Sequence, residues 1–114
     1  MPTREIPRDQ WVTFFDDFSR LHRGRNVSAE TLGADIGAQE EVRELPLVGI
    51  SAGLKGPGRD TISIILGDVP EKHITDTISA PSQVRLEQAE DGTPEVLQIE
   101  SADGLTRLVR FTSG

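Results

Sequence analysis

Three features of the sequence predict an α+β fold, with an N-terminal amphipathic helix packed on a six- to seven-stranded antiparallel sheet. The first is one apolar stripe at helical spacing near the start of the chain. The second is a switch to period-two alternation after Gly24. The third is a pair of Asp-Gly turns, too short to carry a parallel crossover. At 114 residues the chain reads as a single domain over 1–114.

The helix is expected over residues 7–23. Trp11, Phe14, Phe15, Phe18 and Leu21 recur at i, i+3, i+4, i+7 and i+10, which is one face of an α-helix. Pro7 suits the first turn, where a missing N–H costs nothing. Gly24 suits the stop, and Arg20, His22 and Arg23 before it place cations at the negative end of the helix dipole. Asp9, Asp16, Asp17 and Arg20 fall on the opposite face. Four of the five aromatic residues sit on the stripe. Each buries ~150–250 Å², so the helix should be the main plug of the core.

Strands are expected over residues 26–32, 47–54, 61–66, 73–78, 83–88, 95–101 and 105–112. Gly33 ends the first, and Gly37 marks a loop. Val48, Ile50, Ala52 and Leu54 share an inward face of the second. Leu47, Gly49, Ser51 and Gly53 then form an unusually bare outer face, where glycines imply that something packs close. The turn Lys55-Gly56-Pro57-Gly58 follows. Ile62, Ile64 and Leu66 point inward and Ile65 outward, so the third strand should be covered on both faces. Gly67-Asp68-Val69-Pro70 ends it, and Pro81 separates the weaker strand 73–78 from 83–88. Asp91-Gly92 and Asp103-Gly104 join the last three strands into a meander. A small, partly open barrel and a curved open sheet both fit this pattern.

Composition excludes several classes. There are no cysteines, which removes disulfides and thiolate metal sites. No charge-free run approaches the ~20 residues that span a bilayer. The first turns mix charges with aromatics and lack an apolar leader core, so a cytoplasmic protein with no membrane partner is expected. A net charge of −7 argues against nucleic acid as a partner.

Residues able to carry chemistry are sparse. The weak candidates are His73 and Asp76, with Thr75 and Thr77 beside them. On a strand His73, Thr75 and Thr77 share one face while Asp76 takes the other, so no local acid–base pair forms. Gly49-Ile50-Ser51-Ala52-Gly53 matches the Gly-x-Ser-x-Gly nucleophile pattern, but that signature belongs to a strand-to-helix turn and here a second strand follows. Gly53, Gly56 and Gly58 lack the Lys and Ser/Thr that finish a phosphate loop. Asp16 and Asp17 diverge by about 100° on a helix and cannot share one ion. Glu40-Glu41 and Glu90-Asp91 read as loop charges. No catalytic residue, cofactor or metal site is expected.

Arg4-Glu5-Ile6-Pro7 with Trp11, Phe14-Phe15 and Phe18-Ser19 resembles the opening of a bacterial family known only as a domain of unknown function. Leu32-Gly33, Ile36-Gly37 and Gln39, Leu45-Pro46-Leu47 with Gly49-Ile50, and Ile99 to Gly104 fit the same family. The resemblance covers nearly the whole chain. It implies a bacterial source and a compact domain, and brings no activity with it.

Function is therefore expected to be that of a non-catalytic bacterial binding or interaction module, engaging a protein partner or forming a homo-oligomer through a sheet face or edge. Leu47, Ile65 and the outward residues of the last strand (Thr106, Leu108, Arg110) would form the apolar patch. The alternative is a small-molecule-binding protein or enzyme with His73 in a cleft.

Overall fold

The computed structural model describes residues 3–33, 37–56, 58–67 and 73–111, with the side chains of residues 38 and 40–43 outside that description. The chain runs β1 (Thr3–Ile6), a 3-10 turn (Arg8–Gln10), α1 (Trp11–His22), β2 (Asn26–Gly33), β3 (Gly37–Gly53), β4 (Thr61–Leu66), β5 (Ile74–Ser79), β6 (Pro81–Gln88), β7 (Pro94–Ser101) and β8 (Thr106–Phe111). One helix packs on one antiparallel sheet of order β1-β6-β7-β8-β2-β3-β4-β5. The fold class is as expected, with eight strands in place of six or seven.

Two corners bend this sheet over itself. Strand β3 pairs with β2 through Pro46 and with β4 from Leu47 onward, so one 17-residue strand serves both halves. It turns at Glu44, whose φ of 53° is the left-handed conformation that few L-residues adopt. The second corner is Ala80, with φ 52°, the single residue between β5 and β6. Its N–H donates to the Asp60 carbonyl at 3.0 Å and its C=O accepts from Ala102 N–H at 2.9 Å, tying the two halves together. The bend is large enough to bring β5 back over β8, although β2, β3 and β4 lie between them in the sheet. Asp76 Oδ2 and Arg107 Nε meet at 2.9 Å. The sheet is curled but not closed: β1 and β5 remain its edges.

Helix α1 fills the side of the curl that β2 vacates. Past Pro46 the free edge of β3 faces the helix, and Ser19 satisfies it. The Ser19 hydroxyl accepts from Ile50 N–H at 2.8 Å and donates to Ile50 C=O at 3.0 Å. Gly24 N–H donates to Leu47 C=O just beyond the helix end. Gly49 lies under this contact, where a Cβ would stand 3.7 Å from Ser19 Oγ. The helix reaches the glycine-bearing face at Gly49 alone: a Cβ at Gly53 would meet only Thr61 of β4, and Ser51 between them is exposed.

The buried stripe is Trp11, Phe15 and Phe18, at i, i+4 and i+7. Trp11 Nε1 donates to the Ile6 carbonyl at 2.8 Å, so its one polar atom is satisfied inside the core. Phe14 is half-buried, with its ring 5.4 Å from that of Phe18. Leu21 departs from expectation: it is 72% exposed, because after Phe18 the inner face of the helix continues through His22. The helix proper starts at Trp11, and Pro7 and the 3-10 turn precede it.

Other boundaries shift for physical reasons. β1 was not expected, since only Ile6 of its four residues is buried and no alternation can show. Gly37 opens a strand and is not a loop, and the backbone of Glu40-Glu41 lies within β3. Pro81 begins β6 directly, on the buried face. The Gly67-Asp68-Val69-Pro70 stop lies outside the described residues from Asp68 on, as does Pro57 of the preceding turn. A bulge between Leu47 and Gly49 resets the alternation, so Leu47, 1% exposed, and Ile50 both face the core. The meander of β6, β7 and β8 is as expected. In both of its turns an Asp carboxylate accepts from the backbone N–H two residues on, Thr93 and Leu105.

Candidate functional site

The two ends of the curled sheet are finished differently. Near α1 the polar groups are answered. Asp60, buried in the β3–β4 connection, accepts from Arg8 Nε at 2.6 Å and Nη2 at 3.0 Å, and from Lys55 and Gly56 N–H at 2.9 and 3.0 Å. The Arg8 hydrogen bond, aided by those two amides, holds the Asp60 carboxyl well below the usual carboxylate range against the opposing effect of burial. This is an anchor that fastens the entry to the helix onto the β3–β4 turn.

At the other end, between β2/β8 on one side and β4/β5 on the other, lies a cleft of about 250 Å³. Ala29, Ile64, Leu66, Ile74 and Val109 form apolar walls, and Asp76 and Arg107 meet across it. Strand geometry explains the placement. Val27, Ala29 and Thr31 of β2 pair with Phe111, Val109 and Arg107 of β8, all on the inward face. Arg107 is thus the one cation of β8 turned inward, and Asp76, two residues before Ile78, shares its inward face of β5.

Three buried side-chain polar atoms among the described residues make no hydrogen bond to the protein: Thr31 Oγ1, Arg107 Nη1 and Glu95 Oε1. Two of the three belong to one cross-strand pair, Thr31 opposite Arg107. An unanswered buried donor costs ~1–3 kcal/mol, so two of them on cross-strand neighbours, of which Arg107 lines the cleft, are unusual.

The sequence candidates fall around this cleft unequally. His73 is exposed just before β5, and Asp76 is inside with Arg107 as its ionic partner. Thr75 and Thr77 are exposed on the opposite face from Asp76, as strand parity requires. Ser51 is exposed on extended backbone near the end of β3. His22 differs from the dipole-cation reading: its ring packs edge-on to Phe18 at 4.7 Å, and burial followed by the nearby Arg25 pushes its pKa down. The expected apolar patch is corrected as well. Leu47 and Leu108 are buried and Ile65 is half-buried, and the exposed large apolar residues among the described ones are Val12, Leu21 and Ile74.

Arg107 and Thr31 were missed in the sequence, though a signal existed for the first. Placing Phe111 inward on β8 forces Arg107 inward too, and an arginine on a core-facing position needs a partner. Thr31 carried no comparable mark.

No solved structure matches this chain. A protein described only as uncharacterised, from Aquifex aeolicus, is 29% identical over 111 residues, covering 97% of this chain and 93% of that protein. No helix among the described residues is long and apolar enough to cross a membrane. The model of a family of unknown function, DUF5335, matches residues 2–114, and the chain belongs to that family.

Proposed function

We propose that this chain is a non-catalytic binding module that takes a small, mostly apolar molecule in the cleft between β2/β8 and β4/β5. The observation that carries this reading is the conjunction of apolar walls with a buried, unpartnered guanidinium nitrogen on Arg107. Ligand sites combine a largely apolar lining with a few convergent polar groups, and this cleft has that composition. A catalytic reading has less support, since both carboxylates that line the walls are engaged, Asp76 by Arg107 and Glu30 by Arg110.

The test is methyl NMR on the full chain titrated with small uncharged fragments such as hexanamide. Shifts centred on Ile64, Leu66, Ile74 and Val109 are expected. Ile74→Trp, at a 38% exposed position on the rim, should fill the mouth and abolish them without unfolding the protein. Shifts scattered over the surface, or unchanged by Ile74→Trp, overturn the reading.

A second reading, association with a second copy through β5, is favoured by the contrast between the two sheet edges. β1 is four residues long and carries Arg4 and Glu5. β5 turns its one charge inward and presents Thr75, Thr77 and Ser79, without the outward Lys or Pro that usually guards an edge. Two neutral edges can meet despite a net charge of −7 on each chain. Sedimentation over a dilution series should show a dimer that Thr77→Lys dissociates, and a monomer at all concentrations removes this reading.

A further inference from the structure

We infer that the cleft selects an uncharged ligand bearing a carbonyl-type acceptor oxygen, such as an amide, ketone or ester on an apolar body, and rejects carboxylates of the same shape. This rests on the binding reading above and names its ligand class. The charge in the cleft is already balanced. Asp76 Oδ2 accepts from Arg107 Nε at 2.9 Å, and Glu30, also at the cleft, accepts from Arg110 Nε at 2.6 Å. Neither cation is left to compensate an incoming anion, which would instead face Asp76 across walls of Ile64, Leu66 and Val109. Like charges repel more strongly in such low-dielectric surroundings than in water.

What the site does lack is an acceptor. Arg107 Nη1 is buried with N–H groups that no described protein atom receives, and the Thr31 hydroxyl on the cross-strand neighbour is equally unanswered. Thr31 is only 4% exposed, so its hydroxyl gains nothing from bulk solvent. A neutral oxygen has lone pairs for Arg107 Nη1, on a residue that lines the cleft, at no charge cost. Sites built to hydrogen-bond a ligand reject the analogue that leaves a buried group unpaired or a charge uncompensated.

The experiment compares hexanamide with hexanoate on the full chain at neutral pH, followed by methyl NMR at Ile64, Leu66, Ile74 and Val109. Hexanamide should bind at least about tenfold more tightly than hexanoate. Asp76→Asn removes the carboxylate and leaves Arg107 uncompensated, so the preference should move toward hexanoate by about tenfold or more. Equal or tighter binding of hexanoate to the unaltered chain, or a preference that Asp76→Asn does not move, overturns the ligand class and leaves the cleft itself standing. If neither probe shifts the cleft methyls, the binding reading falls first.

Discussion

The helix-covered side of the sheet and the β5–β8 cleft are built from the same materials to opposite ends. On the helix side three polar intrusions are answered: Trp11 by the Ile6 carbonyl, the open edge of β3 by Ser19, Asp60 by Arg8 and two amides. In the cleft the Arg107–Asp76 pair satisfies one nitrogen and leaves another buried without a partner, next to an unanswered Thr31. Folding alone accounts for the first region. The second carries a cost that folding does not explain, and binding sites are where such costs are found.

The largest expected effect tests the first half of that contrast. Phe15 is fully buried in the core cluster, so Phe15→Ala should cost about 3–5 kcal/mol in chemical denaturation. Phe14, half-buried beside it, should cost less than about 2 kcal/mol when truncated, since water already reaches part of its ring. Equal losses would mean that the stripe is not divided as described. Ser19→Ala should cost about 1–2 kcal/mol, by stranding the Ile50 N–H and C=O that no strand receives. A loss near zero would show that water replaces the hydroxyl and that the helix side is less sealed than its hydrogen bonds suggest.

Acid titration sharpens the comparison further. The folded-state pKa of Asp60 is lowered, first by the Arg8 hydrogen bond and then by the Gly56 and Lys55 amides. Its contribution is therefore fully present above the unfolded carboxylate value of about 3.9 and is lost as pH falls toward the folded value. His22 is also lowered, by burial and then by Arg25, so the fold prefers it neutral. Its contribution is present above about 6.5 and declines as pH drops below that. Stability should thus fall in two separable stages on acidification. His22→Gln should remove the stage near neutrality, and Asp60→Asn the strongly acid one. An acid limb identical in Asp60→Asn and the unaltered chain would show that the anchor does not titrate as its bonds imply.

The helix side was also the more legible of the two in the sequence. Aromatic spacing marks α1 directly, because one face of one element records its own burial. Glycines on β3 hint at a covering element, and Gly49 does lie against Ser19. The Asp-Gly turns place β6, β7 and β8 because hairpin pairing is local. Features that depend on distant chain segments were not legible. The Leu47–Gly49 bulge reverses which residues face inward, and it exists only because β3 changes partner there. β1 reports itself by backbone pairing to β6 and by almost nothing else. The meeting of Asp76 with Arg107 requires both corners, Glu44 and Ala80, to bend, and neither residue type announces a left-handed turn. Of the site candidates, Asp76 was drawn out for the company of His73 and matters through an arginine 31 residues away.

The smallest expected change is the one that separates the two regions most cleanly. Thr31→Val replaces a buried hydroxyl that has no protein partner with a methyl group of nearly the same volume. At most buried positions this exchange is harmful, because it strands whatever the hydroxyl was bonded to. Here no described group loses a bond, β2 keeps a β-branched residue suited to a strand, and an unpaid desolvation penalty disappears. The unliganded protein should therefore be unchanged or stabilised by up to about 1 kcal/mol in denaturant. Ser19→Ala, which also deletes one hydroxyl, should move the other way. A loss above 1 kcal/mol in Thr31→Val would mean that the hydroxyl holds the cleft together internally, and the contrast between a sealed side and an open one would fail at its most specific point.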